Sequence, residues 1–171
     1  MKKLSIICMT VLAVLSMASC RGPKGDPGNA NVASSTVTIH DYDWTWENFY
    51  TDSDGNDRGQ FWVGINYAAI NNNVFNHGAV LVYMDVEGAW SQVPLTYYYA
   101  EDGGFYEASI EVATLNNGSL NLFWTESDLW KVRPGTHEFK IVAIEASVYK
   151  DRSDVDYSNY EAVKTAFQLA D

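Results

Sequence analysis

The stretch Phe61-Trp62-Val63-Gly64-Ile65-Asn66-Tyr67 places a large apolar side chain at every second position. In an extended strand, successive side chains point to opposite faces, so Phe61, Val63 and Ile65 would share one face. Trp62 would lie on the other face, beside small and polar residues. Strict alternation over this length is typical of a β-strand that buries one face.

The same alternation recurs on both sides of this stretch, between clusters of Gly, Asn, Asp and Pro that favour turns. It is found in residues 36–40, 105–112 and 120–125, and a long β-branched strand is predicted over residues 139–149. Residues 79–86 are apolar on both faces, which predicts a central strand. About seven or eight strands, with turns roughly every 8–15 residues, predict a mainly β fold. We expect a single antiparallel β-sandwich, immunoglobulin-like or jelly-roll-like, with the strand order left open.

The end of the chain changes to a helical period. Tyr160, Val163 and Phe167 fall on one helical face, and the run Ser158-Asn159-Tyr160-Glu161 has the form of a capping box. In that motif Ser158 caps the Glu161 amide. We therefore predict a short C-terminal helix over about residues 159–169, packed against the sandwich.

The N-terminus has the pattern of a secretory signal. Lys2 and Lys3 precede residues 4–18, which carry no charge and are shorter than the roughly 20 apolar residues of a membrane-spanning helix. Met17-Ala18-Ser19-Cys20 is similar to a bacterial lipobox. We predict a lipoprotein signal peptide over residues 1–19 and acyl chains on Cys20, which would anchor the protein to a membrane. The alternative is an ordinary cleaved signal followed by an incidental cysteine.

A short linker follows, over residues 20–31. Gly22, Gly25 and Gly28 recur at a period of three with prolines between them, which is a collagen-like composition. This stretch is too short for a stable triple helix and would hold the domain, residues 32–171, at most about 30 Å from the membrane. Trimerisation through the stretch is the alternative. Cys8 is the only other cysteine and leaves with the signal, so no disulfide can form.

The charge balance is strongly acidic, with 11 Lys and Arg against 22 Asp and Glu. Such a surface repels phosphate backbones, so we expect no nucleic-acid partner. Acidity also keeps an exposed domain soluble without any specific role. A cation or a cationic partner is the functional alternative.

These segments together resemble a family of Bacteroidota envelope lipoproteins that carry a short collagen-like stretch after the lipidated cysteine. The resemblance rests on residues 20–30, 76–84, 90–95, 139–144 and 160–164, and covers most of the chain in order. It implies a location at the cell envelope, in the outer membrane, with the periplasmic or surface face left open. It brings no catalytic residues, because none are established for the family.

One loop is rich in oxygen ligands. Asp52, Asp54, Asn56 and Asp57 crowd together, and Ca²⁺ favours several oxygens from a tight turn. An EF-hand loop counted from Asp52 would need Gly and Glu at positions that hold Asp57 and Val63. The loop is therefore an irregular candidate for a structural Ca²⁺ site, with a solvated turn as the alternative. No other cofactor is expected.

Aromatic residues are abundant, with 6 Trp, 11 Tyr and 7 Phe. The consecutive tyrosines 97–99 precede a predicted hairpin turn, Glu101-Asp102-Gly103-Gly104, so at least one ring should point outward. Exposed rings suit sugars or a protein partner, whereas buried rings would only fill the core. The candidate stacking residues are Tyr97, Tyr98, Tyr99, Trp62, Trp124 and Trp130.

The sequence contains no recognisable catalytic motif. Its histidines, at positions 40, 77 and 137, have no metal-ligand spacing, and no Gly-x-Ser-x-Gly elbow occurs. The leading interpretation is a membrane-anchored, non-enzymatic envelope lipoprotein that binds a partner or has a structural role. A surface glycan-binding module is one alternative, and an enzyme acting on carbohydrate through paired carboxylates is another.

Overall fold

The computed structural model describes residues 31–101, 103–116 and 118–169. The predicted signal peptide, Cys20 and linker residues 20–30 lie outside these ranges. Two antiparallel β-sheets pack face to face, and a short helix near the C-terminus covers one of them, which confirms the predicted β-sandwich.

The four-stranded sheet has the order β1-β9-β4-β5, and the five-stranded sheet has the order β2-β3-β8-β7-β6. The strands are β1 (Val32–Ile39), β2 (Thr45–Thr51), β3 (Asp57–Asn66), β4 (Ala79–Val86), β5 (Ala89–Val93), β6 (Leu95–Glu101), β7 (Gly104–Leu115), β8 (Ser119–Glu126) and β9 (His137–Ile144). The helices are α1 (Asn72–His77), α2 (Ala146–Lys150) and α3 (Tyr160–Phe167), and a 3-10 turn spans Asp41–Asp43.

The main core lies between the two sheets. Phe61 and Val63 of β3 are buried there, as their alternation predicts, together with Ile141 of β9. β4 lies between β9 and β5 and is buried on both faces, because its outer face is covered by α3. On that outer side, the Tyr83 hydroxyl donates a hydrogen bond to the Tyr157 carbonyl over 2.6 Å.

β2 and β3 are distorted by a bulge in which Phe49 has no partner across the strand pair. Gly59 lies opposite and permits the close approach, since a Cβ there would collide with the Glu47 carbonyl. A bulge redirects the side chain of the extra residue, and Phe49 is exposed to solvent.

The predicted long strand over residues 139–149 is wrong beyond Ile144. Ile144 pairs with Val32 on one side and with Ala79 on the other, and both neighbouring strands begin there. Among the described residues no further strand pairs with the chain after residue 144, and it turns into α2 instead.

The predicted cap of the C-terminal helix is also wrong by one residue. Asn159, not Ser158, accepts hydrogen bonds from the Glu161 and Ala162 amides, over 2.9 and 3.3 Å. The Ser158 hydroxyl instead donates to Asp156 over 2.6 Å. The helix itself is confirmed, with Tyr160, Val163 and Phe167 buried.

The sandwich has two ends that the first strand defines. β1 starts at Val32, where the predicted linker joins, and its last residue, Ile39, pairs with His137. We call the Val32 end the tether end and the His137 end the open end; eight residues of strand separate them by about 25 Å. No helix within the described ranges has both the length and the apolar character needed to cross a bilayer.

Candidate functional site

A cleft of about 390 Å³ lies at the open end of the sandwich and is lined by residues of both sheets. Its floor and walls come from the edge strand β6, from β8 and β9, and from the loop between β8 and β9. The lining residues are Tyr97, Tyr99, Ala100, Trp124, Arg133, Pro134, Gly135 and His137.

The edge strand β6 supplies two of the rings. Tyr97 and Tyr99 lie two residues apart and face inward, where they pack against the main core. Tyr98 lies between them on the outer face of the sheet and is 70% exposed. The alternation of a strand therefore divides the three consecutive tyrosines between cleft and solvent.

Three tyrosine rings form a continuous row along this edge. Tyr106 stacks on Tyr99 with ring centroids 5.5 Å apart, and Tyr99 stacks on Tyr97 at 5.7 Å. The rings are nearly parallel, with interplanar angles of 23° and 13°. Tyr97 and Tyr99 of this row line the cleft.

Trp124 and His137 close the inner side of the cleft. Trp124 is 2% exposed, and its ring stacks on His137 with centroids 4.9 Å apart. Tyr97 meets both rings edge-on, at 5.6 Å from Trp124 and 5.9 Å from His137. The two sheets are thus joined at this end by contacts between aromatic rings.

A buried carboxylate lies behind the rings. Glu126 is 4% exposed, and its Oε1 accepts hydrogen bonds from the Tyr99 hydroxyl and from Trp124 Nε1, each over 2.7 Å. Glu126 therefore sets the orientation of two rings of the cleft without lining the cleft itself.

His137 is held in the cleft as a neutral ring. Burial lowers its pKa from the ordinary value of a histidine, because a desolvated imidazolium is unfavourable. In the part of the chain that the structure describes, no group hydrogen-bonds to its ring nitrogens. A neutral imidazole offers one donor and one acceptor to a ligand.

Arg133 stands at the mouth of the cleft. Its Nη1 donates to the carbonyls of Asp41 and Trp44 over 2.7 and 3.0 Å, and its guanidinium lies 5.2 Å from the Phe61 ring. These contacts hold the guanidinium beside the Phe61 ring and the backbone of residues 41 and 44.

The structure brings three of the candidate stacking residues together, Tyr97, Tyr99 and Trp124. The prediction that Trp124 is partly exposed is wrong, because it follows Leu120 and Leu122 on the inward face of β8 and is almost completely buried. Its contribution is to support the other rings.

The other three candidates lie outside the cleft. Tyr98 is on the outer face of β6, and Trp62 is half-buried on the outer face of β3, opposite Phe123. Trp130 is 43% exposed, with the Arg58 guanidinium 3.9 Å from its ring centroid.

The acidic loop is closed by its own hydrogen bonds. Asp52 Oδ1 accepts from the amides of Asp54 and Asn56, and Oδ2 accepts from Arg58 over 2.8 and 2.9 Å. The amide of Asn56 and the Arg58 side chain lower the pKa of Asp52. Asp57 accepts from Thr51 and Asn48.

The described part of the chain contains no group of three or more His, Cys, Asp or Glu side chains placed to hold a metal ion. Ca²⁺ binding by the loop stays a prediction. Thermal unfolding with Ca²⁺ and with chelator tests it, since an ion that binds the native state raises the midpoint.

Glu126, Arg133 and His137 were not expected from the sequence to belong to one site. For Glu126 a signal existed, because it continues the alternation of Leu120, Leu122 and Trp124 onto the buried face. Arg133 and His137 gave no such signal. Their position depends on how the two sheets meet, which local pattern does not determine.

Comparison with known proteins gives no further guide, because no protein-family model, curated protein or solved structure matches the chain. The chemistry of the cleft follows from its residues alone. Flat rings stand beside one fixed cation and one neutral imidazole, which is the mixture of apolar surface and few polar groups found in binding sites for small ligands.

Proposed function

We propose that this chain is a lipid-anchored binding protein of the cell envelope whose cleft holds a sugar ring of a glycan. The observation that carries the proposal is the cleft itself, in which Tyr97, Tyr99 and His137 surround a space of about 390 Å³. Pockets for small ligands span about 300–1,000 Å³, so a sugar ring fits.

The residues of the cleft suit the two kinds of surface that a sugar presents. The C–H face of a sugar is apolar and packs on aromatic rings, while its hydroxyls need donors and acceptors. The tyrosine rings supply the first, and His137 and Arg133 supply the second at the rim. A purely apolar ligand would cover the His137 ring nitrogens without offering them a hydrogen-bond partner, which is unfavourable.

The position of the cleft agrees with a tethered receptor. The predicted anchor joins the domain at the tether end, and the cleft lies at the open end, where Ile39 pairs with His137. A ligand could therefore approach from the side away from the membrane.

The proposed role is binding without catalysis. Glycoside hydrolysis ordinarily requires two carboxyl groups facing the sugar. Among the described residues that line the cleft there is no Asp or Glu, and Glu126 Oε1 is engaged by Tyr99 and Trp124. Hydrolysis of a bound oligosaccharide by the purified domain would contradict this part of the proposal.

Gly135 offers a test that leaves every ring in place. A Cβ at this position would lie 4.0 Å from His137 Nε2, and the backbone there is compatible with any residue. Gly135→Leu should fill the cleft and abolish binding on a glycan array, whereas Gly135→Ala adds only a methyl group and should weaken it less. Equal binding by the parent and Gly135→Leu, or no glycan bound by the parent, would refute the cleft as a glycan site.

The anchor is tested separately. Labelled palmitate should attach to the parent protein and not to Cys20→Ser, and the variant should leave the membrane fraction. A variant that fractionates with membranes as the parent does would refute the anchor while leaving the binding site untouched.

A further inference from the structure

We propose that the sugar in this cleft carries a carboxylate, so that the ligand is an acidic glycan with a hexuronic acid as the recognised residue. The inference rests on the proposed function and names the class of sugar. It is carried by Arg133, which lines the cleft and whose Nη1 is held by two backbone carbonyls before any ligand arrives.

Arg133 differs from the other arginines that the structure describes. Arg58 pairs with Asp52 at 2.8 Å, and Arg152 pairs with Asp154 at 3.5 Å. No carboxylate of a described residue lies within ion-pair distance of Arg133. In a chain with 22 acidic residues against 11 basic ones, an arginine without a carboxylate partner at a cleft is available for an anionic ligand.

The donors of Arg133 are arranged to leave room for an anion. Both of its hydrogen bonds, to the carbonyls of Asp41 and Trp44, use Nη1. The guanidinium has five N–H donors in one plane, so Nη2 and Nε can still donate. A carboxylate matches two such donors side by side, which is the geometry of the strongest arginine contacts.

The other walls favour a ring over a simple anion. A carboxylate on Arg133 would place the rest of its molecule among Tyr97, Tyr99 and His137, which line the same cleft. Burial keeps His137 neutral, so its ring can exchange hydrogen bonds with a hydroxyl. A hexuronic acid carries the apolar face, the hydroxyls and the carboxylate in one unit.

The experiment compares glucuronate with glucose by calorimetric titration of the purified domain. We expect glucuronate to bind about tenfold more tightly than glucose, as one additional charge-assisted hydrogen bond provides. Only the glucuronate affinity should fall when salt is raised, because salt screens the ion pair. A glucuronate oligosaccharide in parallel shows whether the free sugar or a polymer is the better ligand.

Arg133→Gln should lower the affinity for glucuronate about tenfold more than the affinity for glucose, which removes the preference. Arg152→Gln is the matched control, since Arg152 also donates to a carbonyl, that of Ala166, and lies over a phenylalanine ring, that of Phe167. It is remote from the cleft and should keep the preference. If Arg133→Gln does not fold, the salt dependence of glucuronate binding by the parent decides whether the carboxylate forms an ion pair.

The outcomes separate this inference from the proposed function. Glucose and glucuronate bound equally by the parent, with no effect of salt, would overturn the acidic ligand and leave the glycan cleft standing. An unchanged preference in folded Arg133→Gln would also overturn it. Failure of both sugars and of the glycan array to show any ligand blocked by Gly135→Leu would overturn both.

Discussion

Glu126 shows how one buried side chain sets the shape of the cleft. Glu126→Leu would leave the Tyr99 hydroxyl and Trp124 Nε1 without their acceptor, in a region that is almost dry. An unsatisfied buried donor costs about 1–3 kcal/mol, so we expect a loss of stability of that order, measured by urea unfolding. Glu126→Gln keeps an acceptor oxygen in the same place and should lose less. Equal stability of the parent and Glu126→Leu would refute the orienting role.

His137 predicts a pH dependence of stability. Its pKa in the folded protein lies below its ordinary value of about 6.5, so the unfolded chain takes up the proton first as the pH falls. His137 therefore lowers stability as the pH falls below about 6.5, and this loss stops growing once the pH passes the folded pKa. It imposes no such loss above that range.

The measurement is urea unfolding of the parent and of His137→Asn at about pH 7.5 and about pH 5. The difference in unfolding free energy should shift in favour of the variant at the lower pH. His77→Asn, which changes an exposed histidine at the end of α1, is the reference for loss of a histidine elsewhere. A constant difference between the parent and His137→Asn would contradict a pKa lowered by burial.

At the level of single helices and strands, the N-terminal cap of α3 can be tested by two neighbouring substitutions. Asn159→Ala removes the side chain that accepts from the Glu161 and Ala162 amides, and loss of such a cap costs about 1 kcal/mol. Ser158→Ala should change stability by no more than about 0.5 kcal/mol, as is usual for a surface position. Thermal unfolding of both variants measures the two losses. If Ser158→Ala lost more stability than Asn159→Ala, Ser158 would be the cap, as the capping box in the sequence predicts.

The elements that could be predicted from sequence are those determined by local alternation. β3 follows from Phe61 and Val63, and the β6–β7 hairpin follows from the turn residues before Gly104. The end of β9 could not be predicted, because Val148 and Tyr149 suit a strand as well as a helix. In the described part of the chain, β9 ends at Ile144 because its two neighbours, β1 and β4, both begin opposite that residue.

At the level of the whole fold, the cleft is formed jointly by residues of the two sheets. Tyr97 and Tyr99 come from the edge of the five-stranded sheet, and His137 comes from the four-stranded sheet. The abundance of aromatic residues made both tyrosines candidates for a binding site. The sequence did not indicate that they would line one cleft with His137 and Arg133. Alternation assigns a residue to a face of a strand, whereas the strand order decides which faces meet.

The arrangement of the strands also explains why the abundant aromatic residues do not all lie on one surface. Phe105 is 92% exposed on the outer side of the β6–β7 hairpin, on the opposite face from the cleft. Tyr98 shares that outer face. These two residues therefore supply an internal comparison for any ligand, because a molecule attracted by aromatic surface alone would contact them as readily as the cleft.

The central claim, that the open end of the sandwich binds a sugar, is tested most directly by mapping amide chemical shifts in ¹H–¹⁵N spectra during titration with glucuronate and with glucose. We expect the shifts to concentrate at the cleft, at the amides of Tyr97, Tyr99, Gly135 and His137, and we expect Gly135→Leu to abolish them. Shifts confined to Tyr98 and Phe105 on the outer face, or no shifts at the cleft at saturating sugar, would contradict it.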